Sequence, residues 1–169
     1  MAKDVFIRAA KLGDAAEIQA MIAALALEAH GPAQVLTIED VTKYGFGAEP
    51  AFQALVAEID GAVMGLAIFF PEFSTWRGRR GIYLQDIYVK PEARGRGVGK
   101  ELIDALTREA KEMSAVYLRL AVDSDNHDAA RFYERLGFAE AHRDRIFMLT
   151  DDAFGKGAAQ SSRGKGDDT

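Results

Sequence analysis

The sequence predicts one α/β (α+β) domain with a mixed sheet and helices on both faces. Three observations carry this. An apolar run, Ile82 to Val89, leads through the glycine-rich stretch Arg94-Gly95-Arg96-Gly97-Val98-Gly99-Lys100 into a long amphipathic helix. Two earlier apolar runs are joined by Asp60-Gly61, a two-residue hairpin signal. After the helix, a further apolar run completes a strand-helix-strand unit, so early hairpin pairing and late crossover coexist in one sheet.

The elements follow in order. Val5 to Ala9 reads as a short strand. Asp14 is a candidate N-cap for a helix reaching about Ala29, whose apolar side holds Ile18, Met21, Ile22, Leu25 and Leu27. Gly31-Pro32 ends it. Thr37 can cap a second, short helix; Asp40 has the charge but not the length of a capping-box partner, and Gly45-Phe46-Gly47 stops the helix. Ala51 to Ile59 and Val63 to Phe70 form the hairpin strands, Trp76 to Gly81 a basic loop, and Ile82 to Val89 the next strand. Val98, Leu102, Ile103, Leu106, Ala110 and Met113 recur at helical spacing. Val116 to Val122 is a strand, Asn126 to Leu136 a helix closed by Gly137, and Arg145 to Leu149 a last strand. The predicted order is β-α-α-β-β-β-α-β-α-β in a single domain over residues 1–154. Residues 155–169 are Gly-, Ala-, Ser-, Lys- and Asp-rich without apolar periodicity, and read as a disordered tail.

The 94–100 stretch is built for phosphate. Backbone N–H groups in the first turn of a helix have no intrahelical acceptor, and the helix dipole favours an anion there. Glycines let the backbone approach the phosphate oxygens; Arg94, Arg96 and Lys100 supply counter-charge. A Walker loop would need Gly at Arg94 and Ser or Thr at Glu101, and a dinucleotide fingerprint would need Gly at Lys100. The pattern present is Arg-x-x-Gly-x-Gly, from Arg94 to Gly99.

Composition narrows the function classes. The chain has 169 residues, 49% hydrophobic and 28% charged, which is ordinary for a globular domain with a sizeable core. A net charge of −5 argues against nucleic acid as a partner. No apolar stretch is long enough to span a bilayer. There is no cysteine, and His30, His127 and His142 lack ligand spacing, so no metal is expected and a reducing, cytoplasmic setting is.

The Arg94–Gly99 pattern resembles the acetyl-CoA pyrophosphate loop of the GCN5-related N-acetyltransferases (GNAT), and the element order resembles their mixed, mostly antiparallel twisted sheet. The segment from Asn126 through Phe132-Tyr133 to Gly137-Phe138 resembles that family's second cofactor motif. Further strings resemble the diamine (spermidine/spermine, thialysine) branch: Tyr44-Gly45-Phe46-Gly47-Ala48-Glu49-Pro50, Leu55-Val56-Ala57-Glu58, Trp76-Arg77-Gly78 and Tyr83-Leu84-Gln85-Asp86-Ile87-Tyr88-Val89. The resemblance implies acetyl transfer from acetyl-CoA to a primary amine of a small molecule (diamine, polyamine or amino-acid-like), without a metal, in a protein that often forms homodimers. It implies cofactor contacts from Ile87, Tyr88 and Val89, from each residue of Arg94 to Lys100, and from Asn126 and Tyr133. The branch carries Glu where Gln85 stands, and more acid than His30-Gly31-Pro32-Ala33, so preference should lean away from long polyamines. Alternative readings are a protein N-terminal or lysine acetyltransferase and, from another class, a non-catalytic acetyl-CoA sensor.

The residues bear on the chemistry unevenly. Tyr133 is the candidate acid for the leaving thiolate; spacing alone favours a core tyrosine, and only the match with Asn126 reverses that. Gln85 cannot take a proton at neutral pH. Asp86 can, but strand alternation predicts that it faces away from Gln85, and a structural carboxylate is an equal alternative. Glu28, Trp76 and Gln85 are candidate acceptor contacts.

Overall fold

The computed structural model describes residues 4–31, 35–142, 145–150 and 154. The chain divides into two compact units, 1–127 and 128–169.

The first unit holds a five-stranded sheet in sequence order: β1 (Phe6–Ala9), β2 (Gln53–Ile59), β3 (Ala62–Ser74), β4 (Arg79–Val89) and β5 (Ala115–Arg119). Pairing is antiparallel from β1 to β4 and parallel between β4 and β5. Three helices belong to this unit: α1 (Ala15–His30), α2 (Ile38–Phe46) and α3 (Val98–Glu112). Ile18 and Met21 of α1 and Val41 of α2 pack with Val56, Leu66, Ile68 and Tyr88 on one face of the sheet. On the other face α3 comes close enough that a Cβ at Gly65 would lie 3.0–3.2 Å from Val98, Ala57 and Leu102. Bare backbone at 65 is what admits the helix.

Asp60 and Gly61 both take positive φ, 53° and 77°, and Ile59 pairs with Ala62. This is the two-residue turn whose twist matches a hairpin. The β3–β4 hairpin runs further than the sequence suggests. The expected loop from Trp76 to Gly81 shrinks to residues 75–78, because Arg79, Arg80 and Gly81 continue the ladder opposite Ser74, Phe73 and Glu72.

Two local expectations are corrected. Thr37 and Asp40 do form a reciprocal capping box: Asp40 N donates to Thr37 Oγ1 at 3.1 Å, and Thr37 N donates to Asp40 Oδ2 at 2.9 Å. The extended backbone of Thr37 brings its amide within reach of the shorter acid. Asp14 stands at the start of α1 as expected but makes no capping bond. Its carboxylate instead accepts Arg8 Nη1 and Nη2 at 2.7 and 2.9 Å and the Lys11 amide at 2.8 Å. Arg8 also donates Nε to Glu58, so one guanidinium ties β1, β2 and the entry to α1 together.

The second unit contains α4 (His127–Arg135), which begins at the unit boundary, closed by Gly137 at φ 91°. The expected last strand, Arg145 to Leu149, does not form: residues 145–150 join no ladder, and Ile146, Phe147, Met148 and Leu149 are exposed. Apolar alternation makes a strand only where a partner strand satisfies its backbone, and none does so among the described residues. The proposed tail, 155–169, and Pro32 and Ala33 lie outside the described residues.

Asp14 is 5% exposed, and the Arg8 guanidinium holds its carboxyl below the ordinary carboxylate range. A lowered folded pKa stabilises above the ordinary value and is lost as pH falls through the folded one. Asp14→Ala should therefore cost about 2–3 kcal/mol in urea unfolding at pH 7. The gap between the two proteins should narrow below about pH 4, the ordinary aspartate value; a gap unchanged into strong acid would contradict the pairing.

Candidate active site

β4 positions the candidate residues because its two neighbours treat it differently. β5 pairs with it only between Arg80 and Tyr83 and ends at Arg119, whereas β4 runs on to Val89. From Leu84 to Val89 the edge of β4 toward β5 has no ladder. Among the described residues no strand pairs with this stretch, and the predicted contacts Ile87, Tyr88 and Val89 lie along it.

Beyond Val89 a single turn, Pro91–Ala93, leads into the loop. Gly95 and Gly97 adopt φ of 72° and 81°, and Gly97 is the N-cap of α3. These left-handed conformations are strained for other residues, and a Cβ at either position would meet nothing within 4 Å. The first intrahelical bond is Glu101 N to Gly97 O at 3.0 Å. The N–H groups of Val98, Gly99 and Lys100 therefore have no helical acceptor, and no side chain caps them among the described residues. This cradle suits a pyrophosphate.

Its cations are differently disposed. Arg94 Nη2 reaches both oxygens of Glu28 at 2.8 Å, its Nε donates to Val89 O, and its guanidinium lies 5.4 Å from the centre of the Tyr88 ring. Tyr88 Oη donates to the same Glu28 at 3.1 Å. Glu28, expected to face the acceptor, is thus bound into the loop's own wiring. Lys100 pairs with Asp104 at 2.5 Å. Arg96 is unpaired among the described residues. The Lys100–Asp104 pair is exposed and worth about 1 kcal/mol or less, so a phosphate can displace it, whereas Arg94 is held at once by Glu28, Val89 O and the Tyr88 ring.

The predicted opposition of Gln85 and Asp86 is overturned by a β-bulge. Ile68 pairs with Asp86 and Phe69 with Leu84, so Gln85 is an extra residue with no partner on β3. A bulge breaks alternation locally, and both side chains line one pocket of about 190 Å³. Its walls are otherwise apolar: Ile22 of α1, Leu36, Ala51, Phe52, Ile68 and Phe70. Gln85 is exposed at the mouth and Asp86 half-buried. Burial pushes the Asp86 carboxyl above the ordinary range, and no hydrogen bond or ion pair offsets this among the described residues. A carboxylate in that condition is a better base and a seat for an ammonium group. The sequence reading missed the walls from α1 and the 36–52 segment. It had one trace of the bulge: two adjacent polar residues inside an apolar strand.

Trp76 is fully exposed at the β3–β4 turn and does not line the pocket. Asn126 immediately precedes α4, and its amide donates to Asp123 O at 2.9 Å. Tyr133 belongs to the second unit. Its ring meets Phe132 and Phe138 edge-on, with centroids at 5.2 and 5.5 Å, and its carbonyl accepts the amides of Leu136 and Phe138.

Comparisons with known proteins bear on the family and the fold. The sequence profile of the acetyltransferase (GNAT) family matches residues 19–138. The chain is 40% identical over 142 residues to the thialysine N-epsilon-acetyltransferase of Bos taurus, covering 79% of this chain and 83% of that protein. Among solved structures, an integron cassette protein from the mobile metagenome of V. cholerae superposes with a TM-score of 0.78 at 20% identity, over 94% of this chain and 98% of that one. A ribosomal-protein-alanine N-acetyltransferase from Brucella melitensis biovar Abortus 2308 gives 0.69 at 27% identity, over 86% and 99%.

The position of Asp86 makes a stability prediction of unusual sign. A carboxyl whose folded pKa is raised costs stability as pH climbs from its ordinary value through the folded one. Asp86→Asn should accordingly stabilise the protein at pH 7 by about 0.5–2 kcal/mol, the scale of common stabilising changes. The gain should vanish below about pH 4, the ordinary aspartate value. A variant destabilised at neutral pH in thermal unfolding would mean that Asp86 is a structural carboxylate.

Proposed function

Since the chain belongs to the acetyltransferase (GNAT) family, we propose that it transfers the acetyl group of acetyl-CoA to the primary amine of a small molecule. The observation that carries this is a half-buried carboxylate, unpaired among the described residues, in a small apolar pocket on the same strand that leads into the glycine loop. In this reading the amide groups of Val98 to Lys100, with Arg96, hold the pyrophosphate. The unladdered edge of β4 from Ile87 to Val89 receives the pantetheine arm, and a backbone N–H there faces the developing oxyanion.

The amine must first lose a proton. A lysine-like ammonium with pKa near 10.4 costs roughly 4–5 kcal/mol to neutralise at pH 7. Asp86, with its raised pKa, accepts that proton directly or through water, while Gln85 orients the amine by hydrogen bonding. The neutral nitrogen attacks the thioester carbonyl, the adduct's nitrogen gives up its second proton to water, the C–S bond breaks, and thiolate leaves. Tyr133 donates to that sulfur. Since a phenol near pKa 10 is a weaker acid than a thiol near 8.5, full transfer is uphill by roughly 2 kcal/mol, and a strong hydrogen bond precedes it. Asn126 assists on the cofactor side.

The Brucella structure supports a second reading, transfer to a protein N-terminus. The size of the pocket favours the small amine. A screen of free amines against N-terminal peptides, scored by CoA release, decides between them.

Two variants test the assignment. Gly97→Asp brings a carboxylate and a strained φ into the cradle, and acetyl-CoA affinity by calorimetry should fall at least about tenfold, or 1.4 kcal/mol. Unchanged affinity in the folded variant would remove the loop from the site. Tyr133→Phe keeps the ring contacts with Phe132 and Phe138, and turnover should drop roughly 10²–10⁴-fold with little change in cofactor affinity. Wild-type turnover with chemistry rate-limiting would leave Tyr133 a packing residue.

A further inference from the structure

Three carboxylates lie along one face of the β3–β4 hairpin. The ladder sets Leu66 opposite Tyr88, Ile68 opposite Asp86, Phe70 opposite Tyr83 and Glu72 opposite Gly81. Even-numbered residues of β3 from 66 to 72 share a face, so Glu72 stands beyond Phe70 at one end of the pocket. Glu28, bonded to the Tyr88 hydroxyl, stands toward the other. By strand rise Glu72 is roughly 13 Å from the Ile68–Asp86 pair, a distance that an extended oligoamine spans. On position alone, this face could seat two or three ammonium groups.

The charges say otherwise. Arg119 binds Glu72 with Nε and Nη2 at 3.1 and 2.7 Å, and its guanidinium rests 5.0 Å from the centre of the Tyr83 ring, which itself stacks on Phe70. Arg94 grips Glu28 and lies over Tyr88. The two ends are built alike: an arginine closed on a glutamate and laid on a tyrosine of β4. Of the three carboxylates only Asp86 has no ion partner among the described residues.

We propose that the acceptor is a monocationic amine with an apolar body, and that the Arg119–Glu72 and Arg94–Glu28 clamps enforce this by cancelling the flanking carboxylates. The inference rests on the amine-acetylation reading and specifies its substrate class. The ammonium sits at Asp86, and the hydrocarbon lies against Ile22, Phe52, Ile68 and Phe70. A second ammonium would leave water for apolar walls without an opposite charge to meet it, which is strongly unfavourable.

The test measures kcat/KM by CoA release for two matched amines, octylamine and 1,8-diaminooctane. The monoamine should be favoured about tenfold or more, the scale at which pockets discriminate. A diamine equal or superior overturns the inference while leaving acetyl transfer intact. No release with any amine, in a protein that binds acetyl-CoA, overturns the functional reading with it. Arg119→Gln, outside the catalytic machinery, uncovers Glu72 and should raise kcat/KM for the diamine severalfold, leaving the monoamine unchanged. Adding Glu72→Gln in the double variant should restore the original ratio, and this cycle isolates the pair from any general loosening. A ratio unmoved by Arg119→Gln in a folded protein overturns the clamp.

Discussion

The first unit depends on how β4 is paired. It is antiparallel to β3 along its whole length and parallel to β5 for a few residues only. The full ladder on one side fixes the strand; the short one on the other leaves its second half without a partner strand on that edge among the described residues. Burying such an edge without partners would be costly, so it suits a ligand that brings its own amides. The glycine cradle follows directly because the same strand feeds the turn into α3.

The bulge at Gln85 adds a second consequence of that pairing. A regular ladder would have sent one of two neighbouring polar residues into the packing beneath α3. The extra residue turns both toward the pocket and leaves the apolar faces above and below in register. The strand thereby keeps a dry core on one side and gains a polar pair on the other. The charge layout is economical in a similar way: arginines pair with Glu28 and Glu72, while Asp86 in the pocket is partly desolvated and has no ion partner among the described residues.

Much of this was legible in the chain. Apolar periodicity located the helices and five of the six expected strands, and the glycine-rich 94–100 stretch located the turn into α3. Local chemistry was read well where it depended on neighbours, as with Asp60-Gly61. It was read less well where a carboxylate could choose between partners. Asp14 went to Arg8 rather than to its helix, since a guanidinium offers a charged, two-pronged donor that a capping amide does not. The clamps were invisible because their members are 66 and 47 residues apart. The bulge was invisible because periodicity reports an average over a strand, and a single inserted residue is a local departure from it. The sixth strand failed for a related reason: Ile146 to Leu149 has the right residues, but a strand also needs an edge to join.

Gly65 carries a consequence of a mechanical kind. The first and second turns of α3 rest, through Val98 and Leu102, on its bare backbone, so the separation of helix from sheet is set by the missing side chain. Any substituent there is a wedge under the end of the helix that faces the phosphate loop. The displacement would fall where the contact is, at Val98 and Leu102, and the amides of Val98 to Lys100 lie in that first turn. The alignment of the first turn of α3 is thus held by the thickness of one residue, on a strand that takes no part in the glycine loop itself.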